Sequence, residues 1–209
     1  MEKNRIMNPT EIEKKSFEII ENHIIGIDIK PENKDVLKRV IHTTADFDYV
    51  ENLKFSENAV ENAVKALKKG ADIVTDTTMA LSGINKRILK ALGGEVRCFI
   101  SDEDVAFEAK KRGVTRSAVA MEKASKIDKP LIFAIGNAPT ALIKLDELIK
   151  ENKIFPVLVI GVPVGFVNVC ESKEMIMENN IEYIVARGNK GGSNVAAAIC
   201  NALIYKILR

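Results

Sequence analysis

Tryptophan is absent from the 209 residues, and the chain has only two histidines and three cysteines. The thiols, Cys98, Cys170 and Cys200, are odd in number, far apart and without a C-x-x-C pair. That pattern argues against a disulfide framework or a zinc knuckle and leaves buried free thiols as the expectation. His23 and His42 form no H-x-x-x-H or H-x-x-E spacing, so no protein-held transition metal is expected. No window approaches the roughly 18 consecutive apolar residues of a membrane span, and the opening MEKNRIMNPTEIEKK lacks the apolar core of a secretory signal. A cytoplasmic protein with no membrane attachment is expected. Charge of one sign is also missing: 31 Lys and Arg interleave with 29 Asp and Glu, and the net +2 is too small for a nucleic-acid surface. An anionic ligand would have to be met by local basic residues.

What is present is a globular composition, 46% hydrophobic and 29% charged, with no linker, repeat or low-complexity segment; a single domain over residues 1–209 is expected. The first seventy residues read as helical. Asn8-Pro9 suits a cap and first turn, and Ile12, Ser16, Ile20 and Ile24 follow at every fourth position. A second helix starts near Pro31 and carries Val36, Leu37, Val40 and Ile41; a third runs from Ser56 to a stop at Gly70. From Asp72 onward five short branched runs, DIVTDT, GEVRCFI, KPLIFAIG, FPVLVIGVP and EYIVARG, alternate with helical stretches. Runs apolar at nearly every position belong to strands covered on both faces. The expected fold is α/β: a three-layer α/β/α domain of the doubly wound type, with a five-stranded parallel sheet and an added N-terminal helical segment.

Ligands of open parallel sheets bind beyond the carboxyl ends of the strands. Those ends read TDTTM (75–79), SDED (101–104), GNAPT (136–140), GVPVGF (161–166) and RGNKGGSN (187–194), five polar loops expected on one rim. The last precedes a helix, so its backbone N–H groups at Gly191 and Gly192, with Lys190 as a point charge, suit a carboxylate or phosphate. It matches no nucleotide motif, and tight turning with close helix packing accounts for the glycines equally well. GNAPT reads as a plain helix start, with Asn137 capping and Pro139 in the first turn.

Arg116, in Thr115-Arg116-Ser117-Ala118, opens a helix where the macrodipole disfavours a cation. An anionic ligand would relieve that conflict; a solvated arginine, or one paired with an aspartate such as Asp76, is the plainer reading. His42 follows Val40 and Ile41, and Thr43-Thr44-Ala45-Asp46 has the form of a capping box opening a new helix. A histidine just ahead of such a terminus would be held neutral and able to accept or deliver a proton. Arg39 lies one helical step before it, on the same face. Plainer roles are a structural hydrogen bond for His42, a solvated charge for Arg39, and for Ser16 a hydroxyl bonded back to the preceding turn.

The segments RVIHTTADFDY, VTDTTMALSGI, TRSA, GNAPTAL, PVGFVNVCESKE and RGNKGGSNVAAAICNAL, in that order, resemble the precorrin-8X methylmutase family over about Asn8 to Leu208. The resemblance implies a flavodoxin-like fold, a homodimer, and an isomerase of corrin (vitamin B12) biosynthesis. In that reaction a methyl group migrates between neighbouring ring carbons, converting precorrin-8X or its cobalt form to hydrogenobyrinate or cobyrinate. It places the family's histidine on His42, its substrate-contacting serine and arginine on Ser16 and Arg39, and its TRSA motif on Arg116 and Ser117. No cofactor is implied, and any cobalt is carried by the substrate. A flat tetrapyrrole edged by carboxylates fits scattered donors: Arg39, Arg116, Lys190 and the N–H groups of Gly191 and Gly192. Two other readings are a non-catalytic tetrapyrrole carrier and a flavin or nucleotide phosphate binder using TDTTM. Only Phe166 among the loop residues offers the latter a stacking ring.

Overall fold

The computed structural model describes residues 8–208. The first seven residues of the stretch read above for a secretory core, and Arg209, lie outside them. The helices are α1 (Pro9–His23), α2 (Pro31–Thr44), α3 (Tyr49–Asn52), α4 (Ala59–Lys68), α5 (Thr78–Gly83), α6 (Lys86–Ala91), α7 (Glu103–Arg112), α8 (Arg116–Ala124), α9 (Pro139–Lys150), α10 (Val169–Glu178) and α11 (Ser193–Lys206). The strands are β1 (Leu53–Phe55), β2 (Asp72–Thr75), β3 (Val96–Arg97), β4 (Leu131–Ile135), β5 (Leu158–Gly161) and β6 (Tyr183–Ala186).

The sheet order is β1-β6-β5-β4-β2-β3, with β2 to β6 mutually parallel and β1 antiparallel to β6. Counted alone and read from the β3 edge, the parallel strands run 2-1-3-4-5, the flavodoxin-like doubly wound order. All five expected strands are present. The sixth, β1, is an addition: three residues, Leu53 to Phe55, register against Ala186 to Ile184. So short a run shows no period-2 pattern, and only the presence of β6 makes it a strand. Its neighbour Ser56 was expected to begin a helix. Instead the Ser56 hydroxyl donates to Glu182 and accepts from the Tyr183 N–H at 2.8 Å, and α4 begins at Ala59.

Every residue of β2, β4 and β5 is buried, as both-face coverage requires. Alternation divides their side chains. Ile73, Ile132, Leu158 and Ile160 pack with α2, α4 and α11, while Val74, Phe133, Ile135 and Val159 pack with α8, α9 and α10. α1 lies outside this sandwich, against α2. Of its four-residue stripe only Ile20 and Ile24 are buried; Ile12 is 51% exposed. Asn8 caps α1 as read from sequence, accepting from the Thr10 N–H, while its own N–H donates to Glu11.

The opposite, N-terminal edge of the sheet is pinned by Asp72, whose carboxylate is fully buried. It accepts from Lys129 Nζ at 2.6 Å, Arg97 Nε at 2.8 Å and the Glu95 N–H at 2.9 Å, tying together the starts of β2, β3 and β4. Burial alone would push this carboxyl up, but the hydrogen bonds from Lys129 and Arg97 outweigh it and hold it below the ordinary aspartate range. The depressed pKa makes Asp72 stabilising above the ordinary aspartate value, with that contribution lost as pH falls through the lower folded value. Asp72→Asn should therefore reduce stability at pH 7 by about 1–3 kcal/mol. In urea unfolding the gap between wild type and variant should close as the pH is taken below about 4.

Candidate functional site

At the carboxyl edge of the sheet, the switch point lies between β2 and β4, where strand order reverses. It is occupied by the protein's own anion. Asp76, immediately after β2, accepts the N–H groups of Gly136 (2.9 Å), Asn137 (2.8 Å) and Ala138 (2.7 Å) at the start of α9. Burial pushes its carboxyl above the ordinary aspartate range, against the pull of those three N–H groups. Asn137 was expected to cap α9; its side chain makes no capping bond, and the cap comes from a carboxylate about sixty residues earlier. A phosphate on TDTTM would meet Asp76 within that loop, and the neighbouring N–H groups at the start of α9 are already taken, which counts against the flavin or nucleotide reading.

Four of the five rim loops are joined. Thr77 and Ser193 share a hydroxyl hydrogen bond of 2.8 Å, the Gly192 N–H donates to Val162 O at 2.8 Å, and the Gly165 N–H donates to Asn189 O at 3.1 Å. A Cβ on Gly191 would stand 2.1 Å from Val162 O, so close backbone approach accounts for that glycine. The N–H of Gly192 is thus already engaged within the chain. The fifth loop, SDED, stands apart: Asp102 and Asp104 both accept from Lys123 Nζ at 2.7 Å.

Sequence reasoning did not single out Lys173, which lies fully buried on α10. Its ammonium donates to Gly188 O (2.5 Å) and Lys190 O (3.0 Å), and no carboxylate among the described residues pairs with it. Burial pulls its pKa down to about 8. Because C=O and N–H of a trans peptide point in opposite directions, drawing these carbonyls inward turns the N–H groups of Asn189 and Gly191 away from Lys173. Nothing in the sequence marked this lysine apart from other helix cations.

Lys190 is not a free charge. Its ammonium bonds Asp46 and Asp48 at 2.6 Å each, which raises its pKa and fastens the segment after α2 to the rim. That segment corrects the local reading of His42. α2 continues through Thr44 and ends on Ala45 in the left-handed conformation, so His42 sits in its last turn, not before a new helix. The Thr43 and Thr44 hydroxyls bond back to Arg39 O and Val40 O, both at 2.9 Å. Both threonines lie inside α2, so they do not open a new helix as the capping box their spacing suggested. The argument for a neutral imidazole from a helix N-terminus therefore falls.

Arg39 and His42 do share a face, and both meet Phe17 of α1. The imidazole stacks on the Phe17 ring, with centroids 4.9 Å apart and planes at 18°, and the Arg39 guanidinium carbon lies 4.8 Å from the same ring's centroid. Arg39 also pairs with Glu13 at 2.9 Å. Ser16 bonds back to Ile12 O at 3.0 Å. A groove of about 400 Å³ between α1, α2 and α11 begins here, with Phe17, Arg39 and Tyr205 in its wall. Arg116 and Ser117 lie elsewhere, at the start of α8, which the Thr115–Thr140 hydroxyl contact of 2.9 Å holds beside the start of α9. Arg116 is exposed and makes no ion pair among the described residues, to Asp76 or to any other acid. The candidate residues thus form three groups: Ser16, Arg39 and His42; Lys190 to Gly192; and Arg116 with Ser117.

Fold and rim together define a doubly wound α/β protein whose switch point is closed by its own aspartate and whose free donors are spread over a wide edge. The sequence profile described as precorrin-8X methylmutase matches residues 11–206. A cobalt-precorrin-8 methylmutase of Salmonella typhimurium is 47% identical over 208 residues, covering 97% of each chain. The precorrin-8X methylmutase of Pseudomonas aeruginosa is 39% identical over 92% of this chain and 93% of its own. A crystal structure of precorrin-8x methyl mutase from Thermus thermophilus superposes with a TM-score of 0.86 at 37% identity, covering 94% of this chain and 97% of that one. The chain belongs to the precorrin-8X methylmutase family and is an isomerase of cobalamin biosynthesis.

Asp76→Ala should cost about 3 kcal/mol or more in urea unfolding, because three N–H groups lose their acceptor together.

Proposed function

We propose that this isomerase, acting as a single domain without a cofactor of its own, converts cobalt-precorrin-8 to cobyrinate, with His42 assisting the methyl migration. The cobalt form is preferred because the relative at 47% identity carries that substrate in its name and the relative at 39% carries the metal-free one. The observation that carries the role of His42 is the open state of its ring. Stacking covers one face, while neither ring nitrogen is hydrogen-bonded to another described residue, so both edges are free for a ligand. Asp46 and Asp48, its nearest acids in sequence, are held by Lys190.

The methyl group leaves one ring carbon and joins its neighbour, so mass is unchanged and no redox step is needed. His42 donates a proton or hydrogen bond to the macrocycle as the new carbon–carbon bond forms and takes it back on completion. The carboxylate rim of the substrate meets Arg116, free of ion pairs among the described residues, and Arg39, which exchanges Glu13 for substrate. Ser16, on releasing Ile12 O, with Ser117, Lys190 and the rim N–H of Gly191, adds further donors, and Gly192 shapes the turn. Such charge-assisted contacts suit a large polyanion better than one deep pocket. A cytoplasmic location fits the three free thiols, one of them, Cys200, wholly buried.

Anaerobic incubation with both forms of the substrate should give a corrin spectrum at unchanged mass, faster with cobalt present, and His42→Ala should lower kcat by about 10²–10⁴-fold. Ligand binding with no spectral change in the wild type would support the carrier instead.

A homodimer is the second part of the reading. Ile12, Ile19 and Ile25 around α1 are 51–71% exposed, and Phe166 and Val167 in the β5–α10 loop are 91% and 78% exposed, apolar side chains that a second copy of the chain would cover. Sedimentation should give twice the chain mass, falling toward the single chain in Ile19→Glu.

A further inference from the structure

We infer that Phe17 is a positioning residue for the isomerase reaction, holding the His42 imidazole by ring stacking in place of the carboxylate that commonly orients a reactive histidine. The inference rests on the proposed role of His42 and adds how that ring is kept in place. A working imidazole needs its nitrogens aimed at one point, and a hydrogen bond from the second nitrogen to an acid or carbonyl ordinarily does this. No such bond is made among the described residues: the His42 side chain has no hydrogen-bond partner, and Asp46 and Asp48 both accept from Lys190. The contact that remains is the Phe17 ring, nearly parallel at 18° with centroids 4.9 Å apart. A parallel stack fixes the plane of the imidazole and leaves both nitrogen edges pointing out of the stack, where a hydrogen-bonded acid would occupy one.

Phe17 also touches Arg39, but Arg39 has other supports: the Glu13 carboxylate at 2.9 Å and the Tyr205 ring, 5.9 Å from its guanidinium carbon. Lys38, 5.6 Å from the Phe17 ring, is paired with Glu21 at 2.6 Å. Removing the ring should therefore disturb His42 more than the two cations, and the kinetic loss should fall on kcat.

The experiment uses full-length wild type, Phe17→Leu and Phe17→Tyr, followed by imidazole proton NMR and by steady-state kinetics. With only two histidines, His23→Gln assigns the spectrum, and His23, stacked on Phe47 at 3.8 Å, serves as the unperturbed reference. In Phe17→Leu the ring-current displacement of the His42 protons should vanish while that of His23 stays. Its kcat should fall about ten- to hundredfold, the cost of a misplaced reacting group, with KM changed by no more than about twofold. Phe17→Tyr, which keeps the ring, should restore both. Wild-type kcat in Phe17→Leu with the NMR displacement lost would overturn the proposal, as would an unchanged displacement. A common loss of kcat, KM and thermal stability that tyrosine does not rescue would reduce Phe17 to packing. Full turnover by His42→Ala would remove the underlying reading instead, and the NMR displacement would still report the stack.

Discussion

The rest of the structure depends on one carboxylate. Asp76 stands where the two halves of the sheet diverge, and in taking three consecutive N–H groups from the start of α9 it fixes where β2 ends, where α9 begins and how the two meet. A doubly wound fold opens a crevice at that point, and many such proteins fill it with a ligand's phosphate. Here the filling is covalently part of the chain. Around it, the Thr77–Ser193 and Gly192–Val162 hydrogen bonds tie the neighbouring loops together.

The charges around that edge are organised as ion pairs. Lys190 with Asp46 and Asp48, and Arg39 with Glu13, are partly exposed bridges, worth little to stability on their own. They keep long side chains near the edge without a large desolvation cost. Lys173 is different: it is buried, and its bonds go to carbonyl oxygens. No carboxylate among the described residues pairs with it. The edge therefore combines a buried cation beneath the last loop with a partly exposed one on it, Lys190.

Most of the fold was legible because burial on both faces leaves an unmistakable trace: LIFAI and VLVIG offer water nothing polar, and strand–helix alternation then dictates the layers. What escaped notice was non-local. β1 is a strand only because β6 lies beside it. Asn137 and Thr43 sit at cap-like spacings, yet the cap of α9 comes from Asp76 and the Thr43 hydroxyl turns back on its own helix. Within the candidate site, the helical step from Arg39 to His42 was readable from spacing alone. Phe17, which brings them together, was not, since it falls beside the stripe of α1 and its partners belong to another helix. The family was legible as well, since the matching segments span nearly the whole chain.

The two margins of the sheet bear on how copies of this chain can meet. β1 has three residues and runs against its neighbour, and β3, at the other margin, has two. Neither offers a row of open amides long enough to template another strand. Self-association by continuing the sheet from one molecule into the next is thus disfavoured at both sides. A contact between copies made through side chains of helices and loops would keep the backbone ladder private to each molecule.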